Sequence, residues 1–343
     1  MSYAFDNKSI FISGGCGSLG SALVRRLLIT RARRIVLFDN DQSMLAELER
    51  RRADPRVRYF VGDVRDLSRL RHAIEGCEVA FHCAALKIIP SCEYNPTETI
   101  NTNVLGSQNF IEACLDKVPE IAVGVSTDKA CSPLNLYGAT KLCMERLFVA
   151  ANRFKGDRRT IFACVRYGNV LGSAESVIPV WMEQAAAEGK ITITDPGMTR
   201  FSITMDEAID FIFASMKYAT GPEIFVPKMK SYVLRDLAAA FLLANSLSIP
   251  VETKGARPGE KDHELLINEH EMKLACKVPF GYVIRSHDMV KLPDRESSRL
   301  SGLSSYSSEN AERLTTDELV ALLKKEGLVL NPEKKRAHAE AGA

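Results

Sequence analysis

The sequence predicts an α/β fold, a Rossmann doubly wound parallel sheet with a smaller α+β substrate-binding lobe. Three observations predict it. A glycine-rich segment follows the first apolar run, apolar runs alternate with helical patterns as far as residue 165, and the pattern changes after residue 172. Strands joined by right-handed helical crossovers form a parallel sheet. We therefore expect a nucleotide-binding domain at 3–172 and a substrate lobe at 173–294.

The glycine-rich segment at 11–20 reads FISGGCGSLG and lies between a short apolar strand and a helix expected at 21–28. Its GxxGxxG pattern lets the backbone turn tightly and approach a pyrophosphate, whose charge is favoured at the positive end of a helix. The candidate residues for this contact are Gly14, Gly17, Ser18, Leu19 and Gly20.

The next two expected strands each lead to a carboxylate. Residues 34–38 lead to Asp39, about 20 residues after the glycines, where a carboxylate accepts hydrogen bonds from the adenosine ribose. Its charge would repel a 2′-phosphate, so we expect NAD in preference to NADP, with NADP as the alternative. Residues 57–62 lead to Asp63, for which an adenine contact and an acidic loop cap are equally good interpretations.

Three further strands are expected at 79–82, 121–126 and 159–165. Residues 166–172, RYGNVLG, are expected to form a loop after the last of them. In that loop, Asn169 either donates its side-chain amide to a substrate or bridges a turn.

A Tyr and a Lys four residues apart follow the strand at 121–126. The segment 126–141 reads STDKACSPLNLYGATK, and its Pro and Asn indicate that a helix begins near residue 135 and continues through residue 148. Tyr137 and Lys141 then share one face of that helix. A phenol is a poor base at neutral pH unless a cation favours the phenolate, and we expect Lys141 to be that cation. The same spacing is common on ordinary surface helices, so it carries weight only together with the glycine segment.

After residue 172 we expect a helix at 177–188, a strand at 191–194, a helix at 205–218 and a strand at 223–226. These would make the smaller lobe, which we expect to close a cleft over substrate and cofactor.

The C-terminal extension is expected at 295–330. Its first part, 295–310, is rich in Ser and is typical of a flexible connection, and 315–326 has the pattern of one amphipathic helix. The charged, Ala-rich tail at 331–343 is expected to be disordered.

The composition is that of an ordinary soluble protein. Of 343 residues, 46% are hydrophobic and 26% are charged, and the net charge of +2 gives no support to nucleic-acid binding. The nine cysteines are dispersed without CxxC pairs, which indicates reduced thiols in the cytoplasm and no metal-ligand cluster. No run approaches ~18 apolar residues, so no membrane span is expected.

Several collinear segments resemble one family. They are 14–20, HCAALKIIPSCEYNP at 82–96, ETINTNVLGSQN at 98–109, 126–141, DPGMTRFSITMDEA at 195–208, EIFVPK at 223–228 and ARPGEK at 256–261. On these residues the chain resembles the extended short-chain dehydrogenase/reductases. Within them it is most similar to the UDP-N-acetylglucosamine 4,6-dehydratases (inverting type) of polysaccharide biosynthesis, and TDK followed by YGATK is the most specific match.

The resemblance implies a lyase that converts UDP-N-acetylglucosamine to a UDP-4-keto-6-deoxy-N-acetylhexosamine, with inversion at C5 left open. Tyr137 would take the C4 hydroxyl proton while Thr127 holds that hydroxyl. The resulting ketone acidifies the C5 hydrogen. Lys129, expected to be neutral, would remove it, and Asp128, expected to be protonated, would protonate the departing C6 oxygen.

Adjacent residues of a regular strand point to opposite faces. Asp128 and Lys129 can therefore share one site only if the strand has already ended. A buried ion pair without a catalytic role is the alternative for these two residues.

The resemblance also implies binding residues. The further cofactor contacts are Val64 and Ala84, with Tyr137 and Lys141, and the substrate contacts are Lys87, Asn169, Arg200, Arg257 and Glu260. An arginine fork donates two parallel hydrogen bonds to phosphate oxygens, which suits a nucleotide diphosphate. Surface salt bridges are the alternative for the two arginines, and solvent exposure is the alternative for Lys87.

Two other functions stay open at this point. A nucleotide-sugar 4-epimerase needs Tyr137 and Lys141 but no C5 base, and a non-catalytic nucleotide-binding regulator needs neither. The resemblance also implies a homo-oligomer. A dimer through the helices around 98–115 and 136–152 is expected, with a hexamer as the alternative.

Overall fold

The computed structural model describes residues 3–174, 176–285 and 303–330. Within them the strands, in chain order, are β1 (Ser9–Ser13), β2 (Arg34–Asp39), β3 (Val57–Val61), β4 (Val79–His82), β5 (Ile121–Thr127), β6 (Ile161–Tyr167), β7 (Asn169–Val170), β8 (Ile191–Ile193), β9 (Thr199–Ile203), β10 (Glu223–Pro227), β11 (Lys230–Val233), β12 (Val251–Thr253), β13 (Leu265–Ile267), β14 (Ala275–Val278), β15 (Gly281–Arg285) and β16 (Tyr306–Ser307).

The α-helices, over the same described residues, are α1 (Ser18–Leu28), α2 (Gln42–Arg51), α3 (Leu67–Ile74), α4 (Ile89–Tyr94), α5 (Pro96–Ile100), α6 (Gly106–Lys117), α7 (Leu136–Phe154), α8 (Val177–Glu188), α9 (Met205–Tyr218), α10 (Leu234–Asn245), α11 (Glu269–Met272) and α12 (Thr316–Lys325). A π-helix, Asn101–Leu105, joins α5 to α6, and a 3₁₀ turn, Asp128–Ala130, follows β5.

The described residues form two compact units. Those in Met1–Tyr167, Asp206–Lys228 and Leu266–Ser305 make the first unit, and those in Gly168–Met205, Met229–Leu265 and Tyr306–Ala343 make the second. The structure thus divides the chain differently from the expected boundaries at 172 and 294, because both units are built from separate chain segments.

The first unit contains a nine-stranded sheet of order β14-β15-β10-β6-β5-β4-β1-β2-β3. The seven strands from β10 to β3 are parallel, while β15 and β14 continue the sheet in antiparallel pairing. The order β3-β2-β1-β4-β5-β6 is that of a doubly wound dinucleotide fold, and the predicted fold class is confirmed.

The core of the first unit is aromatic. Phe11, Phe38, Phe110, Phe148 and Phe162 are among its fully buried side chains. Phe110 and Phe148 lie on α6 and α7, and their ring centroids are 5.8 Å apart, so the two helices are fixed on the same part of the sheet.

Two predictions about sheet membership are wrong. The strand expected at 223–226 does not lie in the smaller lobe, because β10 pairs in parallel with β6 in the large sheet, and α9 from Asp206 onward belongs to the same unit. The segment 166–172 is not one loop, because β6 continues to Tyr167 and β7 follows at once. Helices α1 and α7 also extend beyond the predicted bounds.

The second unit contains a sheet of order β11-β9-β7 and a pair of β12 with β8. Its core includes Trp181 on α8, Phe241 on α10 and Leu319 and Leu323 on α12. The indole Nε1 of Trp181 donates to the backbone oxygen of Thr192 at 2.7 Å, which ties α8 to β8.

The C-terminal helix is present as α12, with Thr315 as its N-cap in a reciprocal hydrogen-bond pair with Glu318. Of the flexible connection expected at 295–310, residues 295–302 lie outside the described residues. The prediction is wrong for 303–310, because that part contains β16 and the buried residues Tyr306, Ser307 and Ser308. The expected disordered tail, 331–343, also lies outside the described residues. Among the residues that the structure describes, the helices are too short or too polar to span a bilayer.

Candidate active site

The glycine segment forms a tight turn between β1 and α1. Gly14 has φ +67°, and a Cβ at this position would lie 2.7 Å from the backbone nitrogen of Ala84. A side chain at Gly20 would overlap the backbone oxygen of Gly14. Gly17 is the N-cap of α1, so Ser18 and Leu19 form its first turn. The turn therefore presents backbone and a helix N-terminus rather than side chains.

Asp39 ends β2 beside this turn. Its Oδ2 accepts a hydrogen bond from the backbone nitrogen of Cys16 at 2.9 Å, and its Oδ1 accepts one from the backbone nitrogen of Asp41 at 3.1 Å. The carboxylate is thereby fixed at the glycine turn. The bare backbone, the helix N-terminus and this carboxylate fit a nicotinamide dinucleotide, whose pyrophosphate and ribose need those groups.

Asp63 lies in a local loop cap. Its carboxylate accepts hydrogen bonds from the backbone nitrogen of Arg65 at 2.9 Å and from the guanidinium of the same residue. These bonds hold the pKa of Asp63 below its ordinary value. The acidic-cap alternative therefore describes the observed contacts. The neighbouring Val64 is buried against Gly106 of α6.

The turn after β5 brings three polar side chains together. We call Thr127, Asp128 and Lys129 the catalytic turn, after the catalytic roles predicted for them from the sequence. The strand ends at Thr127 and a 3₁₀ turn begins at Asp128, which meets the condition under which the acid and the lysine can share one site. Lys129 Nζ donates to Asp128 Oδ1 at 3.0 Å, and Thr127 Oγ1 donates to the same oxygen at 2.9 Å. The Asp128 side chain is buried, whereas that of Lys129 is 19% exposed.

Tyr137 lies beside the catalytic turn, in the first turn of α7. Burial raises the pKa of Tyr137 to about 12, and the charge of Asp128 adds to the rise, whereas the charge of Lys129 and a hydrogen bond with Thr127 lower it. The phenol of Tyr137 is therefore hydrogen-bonded to Thr127 of the catalytic turn. Lys129 is the cation whose charge lowers the pKa of Tyr137.

Lys141 is hydrogen-bonded within its own helix. It lies on α7 with Tyr137, as predicted, but its Nζ donates to Met144 Sδ at 3.0 Å. Burial lowers the pKa of Lys141 to about 8, against the opposing effects of Cys164, Cys83 and Glu145. The spacing of four residues correctly predicts that the two residues share one helix, but it does not predict which cation acts on the phenol.

A buried histidine that the sequence analysis missed lies near Lys141. His82 Nδ1 is 2.9 Å from Ser13 Oγ, and its Nε2 is 2.9 Å from Ser107 Oγ. Burial and the charge of Lys141 lower the pKa of His82 to about 3, so the ring is neutral at physiological pH. It joins β1, β4 and α6 beneath the glycine turn.

A second missed feature is a buried group that we call the ion cluster, consisting of Glu145, Arg166 and Glu271. Arg166 Nη2 donates to Glu145 Oε2 at 2.6 Å and to Glu271 Oε1 at 2.8 Å. Arg166 Nε and Nη1 make further bonds of 2.8 Å to the same two carboxylates. The side chains of Glu145 and Arg166 have no exposed area, and that of Glu271 is 9% exposed. A charged residue directly after the apolar run of β6 was the sequence signal for this cluster.

The predicted substrate residues of the second unit lie on two of its segments. Asn169 on β7 pairs with Ser202 on β9, the strand that also carries Arg200. Arg200 Nη1 donates to the backbone oxygen of Thr199 at 2.8 Å, which orients the guanidinium. Arg257 is exposed, and its backbone nitrogen donates to Glu260 Oε2 at 3.2 Å. In the first unit, Lys87 is exposed.

The first unit thus combines a hydrogen-bonded lysine–aspartate pair, a phenol and a glycine turn that fits a dinucleotide. Lys129 Nζ and Asp128 Oδ1 are joined by one hydrogen bond. Transfer of the bridging proton from nitrogen to oxygen gives a neutral amine beside a carboxylic acid. A neutral amine can remove a carbon-bound proton, and a carboxylic acid can protonate a leaving oxygen. A phenol next to this pair can exchange a proton with a hydroxyl.

A family model described as polysaccharide biosynthesis protein matches residues 10–286, which is most of the 343-residue chain. The chain belongs to the polysaccharide biosynthesis protein family. The resemblance predicted from the sequence is confirmed, and so is the prediction of an enzyme related to the nucleotide-sugar 4,6-dehydratases.

Two curated relatives of this polysaccharide biosynthesis protein act on different bonds of a nucleotide sugar. The UDP-N-acetylglucosamine 4,6-dehydratase (inverting) of Campylobacter jejuni is 40% identical over 85% of this chain and 86% of the relative. The UDP-glucose 4-epimerase of Rickettsia bellii is 34% identical over 93% of this chain and 96% of the relative.

Among solved structures, this polysaccharide biosynthesis protein is similar to Pen from Bacillus thuringiensis. The two superpose with a TM-score of 0.88 at 35% identity, over 94% of this chain and 99% of Pen. The family thus comprises nucleotide-sugar dehydratases and epimerases that share this fold.

Proposed function

We propose that the protein is a UDP-N-acetylglucosamine 4,6-dehydratase that uses a tightly held nicotinamide dinucleotide, with NAD favoured by Asp39. The observation that carries the proposal is the hydrogen-bonded pair of Asp128 and Lys129 beside Tyr137. Elimination of water needs a base and an acid in addition to the phenol, and the catalytic turn supplies both. The 40% identity to the C. jejuni dehydratase supports the same substrate.

In the proposed reaction the phenolate oxygen of Tyr137 takes the proton of the C4 hydroxyl, while Thr127 Oγ1 orients that hydroxyl. The amine Nζ of Lys129 then removes the proton from C5, which the C4 ketone has acidified. The carboxylic acid of Asp128 gives its proton to the C6 oxygen, which leaves as water. Lys129 finally returns its proton to C5, and C5 inverts if the proton comes from the opposite face.

The nicotinamide dinucleotide would be held by the glycine turn and Asp39, and when bound it supplies the hydride acceptor for C4 and the hydride donor for C6. Over one turnover Tyr137 gains a proton and Asp128 loses one. Thr127 is hydrogen-bonded to both residues, so it lies where that proton must pass to restore the starting state.

The mechanism needs Tyr137 to be ionised, and this geometry does not favour ionisation by itself, because burial raises the pKa of Tyr137 to about 12. Added positive charge near the phenol would favour its ionised form. We propose that the cofactor's oxidised nicotinamide and Lys141 provide that charge, because Lys129 is the neutral amine at this step. Asn169, Arg200, Arg257, Glu260 and Lys87 remain the proposed substrate contacts.

A 4-epimerase is the second candidate, because the R. bellii relative covers nearly the whole chain. An epimerase leaves C5 and C6 untouched and has no use for Lys129 as a base. We further propose that the protein acts in the cytoplasm as a homo-oligomer.

The experiment that separates the two candidates is incubation of the purified protein with UDP-N-acetylglucosamine in deuterated water, followed by proton NMR. A dehydratase replaces the C6 hydroxymethyl signal with a methyl signal and places deuterium at C5, and the ring couplings report inversion. Interconversion of the gluco and galacto sugars with C6 unchanged would make the protein an epimerase. The Tyr137→Phe variant is the control for turnover by a contaminant.

A further inference from the structure

The catalytic turn is short, and one residue before it and one residue after it are hydrogen-bonded to the ion cluster. Ser126, directly before the turn, donates from Oγ to Glu145 Oε1 at 2.6 Å. Cys131, two residues after Lys129, donates from Sγ to Glu271 Oε2 at 3.4 Å. Both donors are buried. The segment 126–131 is therefore tied at each end to one group.

The ion cluster itself is anchored on separate elements of the first unit. Glu145 is on α7, Arg166 is on β6 and Glu271 is on α11. Arg166 Nη1 also donates to the backbone oxygen of Leu266 at 2.8 Å. Burial alone would raise the pKa of Glu271, but hydrogen bonds and charge from Arg166 hold it below its ordinary value. Glu271 thus stays ionised as a fixed acceptor.

The cluster also lies close to Lys141. Glu145 follows Lys141 by one helical turn on α7, and its charge acts to raise the pKa of that lysine. The same buried carboxylate therefore faces the lysine on its own helix and the strand that leads into the catalytic turn.

We propose that the ion cluster is a positioning element that clamps segment 126–131 at both ends and so holds the catalytic turn in its working geometry. This role rests on the proposed function only in that the clamped residues are the proposed acid and base. Displacing reacting groups by about 1 Å can lower the rate on the order of 100-fold. Loss of either end of the clamp should therefore produce a measurable fall in the rate.

Removing a charge from the cluster would leave its partners buried and unpaired, so such variants could simply unfold. The two tethers can instead be cut singly. Ser126→Ala and Cys131→Ala each remove one donor while every ion pair of the cluster remains. Cys131→Ser keeps a donor at the same place. Ser215→Ala on α9 and Cys114→Ala on α6 are matched controls, since both remove a buried polar atom away from the turn.

The first measurement is hydrogen–deuterium exchange of the peptide that covers 126–131 in the full-length protein. We expect exchange there to be roughly tenfold faster in both tether variants, unchanged in both controls and restored in Cys131→Ser. This readout needs no substrate, so it does not depend on the proposed function. Unchanged exchange in both tether variants would overturn the clamp.

The second measurement is steady-state turnover of UDP-N-acetylglucosamine by the same variants. We expect kcat to fall by about 10- to 100-fold in the tether variants with KM within about twofold, with partial recovery in Cys131→Ser. Equal losses in the controls, or an unchanged kcat despite faster exchange, would overturn the positioning role. If the wild type does not dehydrate the sugar while exchange responds as expected, the proposed function fails and the clamp stands.

Discussion

Lys129 donates a hydrogen bond from Nζ to Oδ1 of Asp128 at 3.0 Å, although the two residues are adjacent in the chain. In a regular strand their side chains would point to opposite faces. The contact exists because β5 ends at Thr127 and the chain turns immediately. The proposed base and the proposed acid are thus brought together by one change in backbone conformation.

Replacing Lys129 with Met is expected to lower dehydration by roughly 10² to 10⁴-fold, because the proposed C5 base is lost. Proton NMR in deuterated water would show loss of both methyl formation and deuterium incorporation at C5. Lys8→Met, which removes a lysine paired with Glu120 at the surface, is the control. Methyl formation at a near wild-type rate in the Lys129→Met variant would exclude Lys129 as the base.

The buried Lys141 is expected to make stability depend on alkaline pH. The pKa of Lys141 is lowered from 10.5 to about 8 by burial, so between these values the unfolded chain binds more protons than the folded protein. Its contribution is complete above pH 10.5 and is lost as the pH falls through about 8. From about pH 8 to about pH 10, the free energy of unfolding of the wild type should rise by roughly 2 kcal/mol relative to Lys141→Met.

Urea unfolding at several pH values would measure this difference, and Tyr137 is the same in both proteins. A Lys217→Met variant, which removes an exposed lysine of α9, should run parallel to the wild type over the same range. A constant difference between wild type and Lys141→Met across that range would contradict the low pKa of Lys141.

Replacing Asp39 with Asn is expected to shift cofactor preference toward NADP by about tenfold or more, because the negative charge that would repel a 2′-phosphate is removed. Asn keeps an oxygen that can accept the hydrogen bond from the Cys16 backbone nitrogen. Calorimetric titration with NAD and with NADP would give the ratio of dissociation constants. Asp41→Asn, two residues further along at the α2 N-cap, should leave that ratio near the wild-type value.

Replacing Arg200 with Met is expected to raise KM for the UDP-sugar by about 10- to 100-fold with a smaller effect on kcat, because the proposed charge-assisted hydrogen bonds to the diphosphate would be lost. Arg235→Met removes an arginine of the same unit that is 68% exposed and should leave KM unchanged. Similar KM values for both variants would assign Arg200 to stability rather than to substrate binding.

Local sequence patterns predict individual elements well, whereas pairings between distant segments are not predictable from them. Helix α9 has the predicted bounds, and the strand predicted at 223–226 exists as β10. Its partner, β6, lies about 60 residues earlier in the chain, and no local pattern identifies that partner. The sequence analysis also missed the antiparallel strands β14 and β15.

The candidate site shows the same division. The glycine turn, Asp39 and the catalytic turn follow short motifs that can be read from the sequence. Arg166 is expected in a loop because a charge usually ends a buried strand, yet its carboxylate partners lie 21 and 105 residues away. Of these two carboxylate partners, Glu145 alone carries a local signal, because it lies one helical turn after Lys141.

The first unit returns to its sheet twice after β6, with β10 and then with β15 and β14. A gene fragment that stops near residue 172 would leave β6 as an open edge with unpaired main-chain groups, and it would also lack Glu271. Such a fragment should aggregate when expressed. The second unit is likewise made of three separate chain segments, so a chimera that exchanges this unit between relatives must transplant three segments, because no single cut separates the two units.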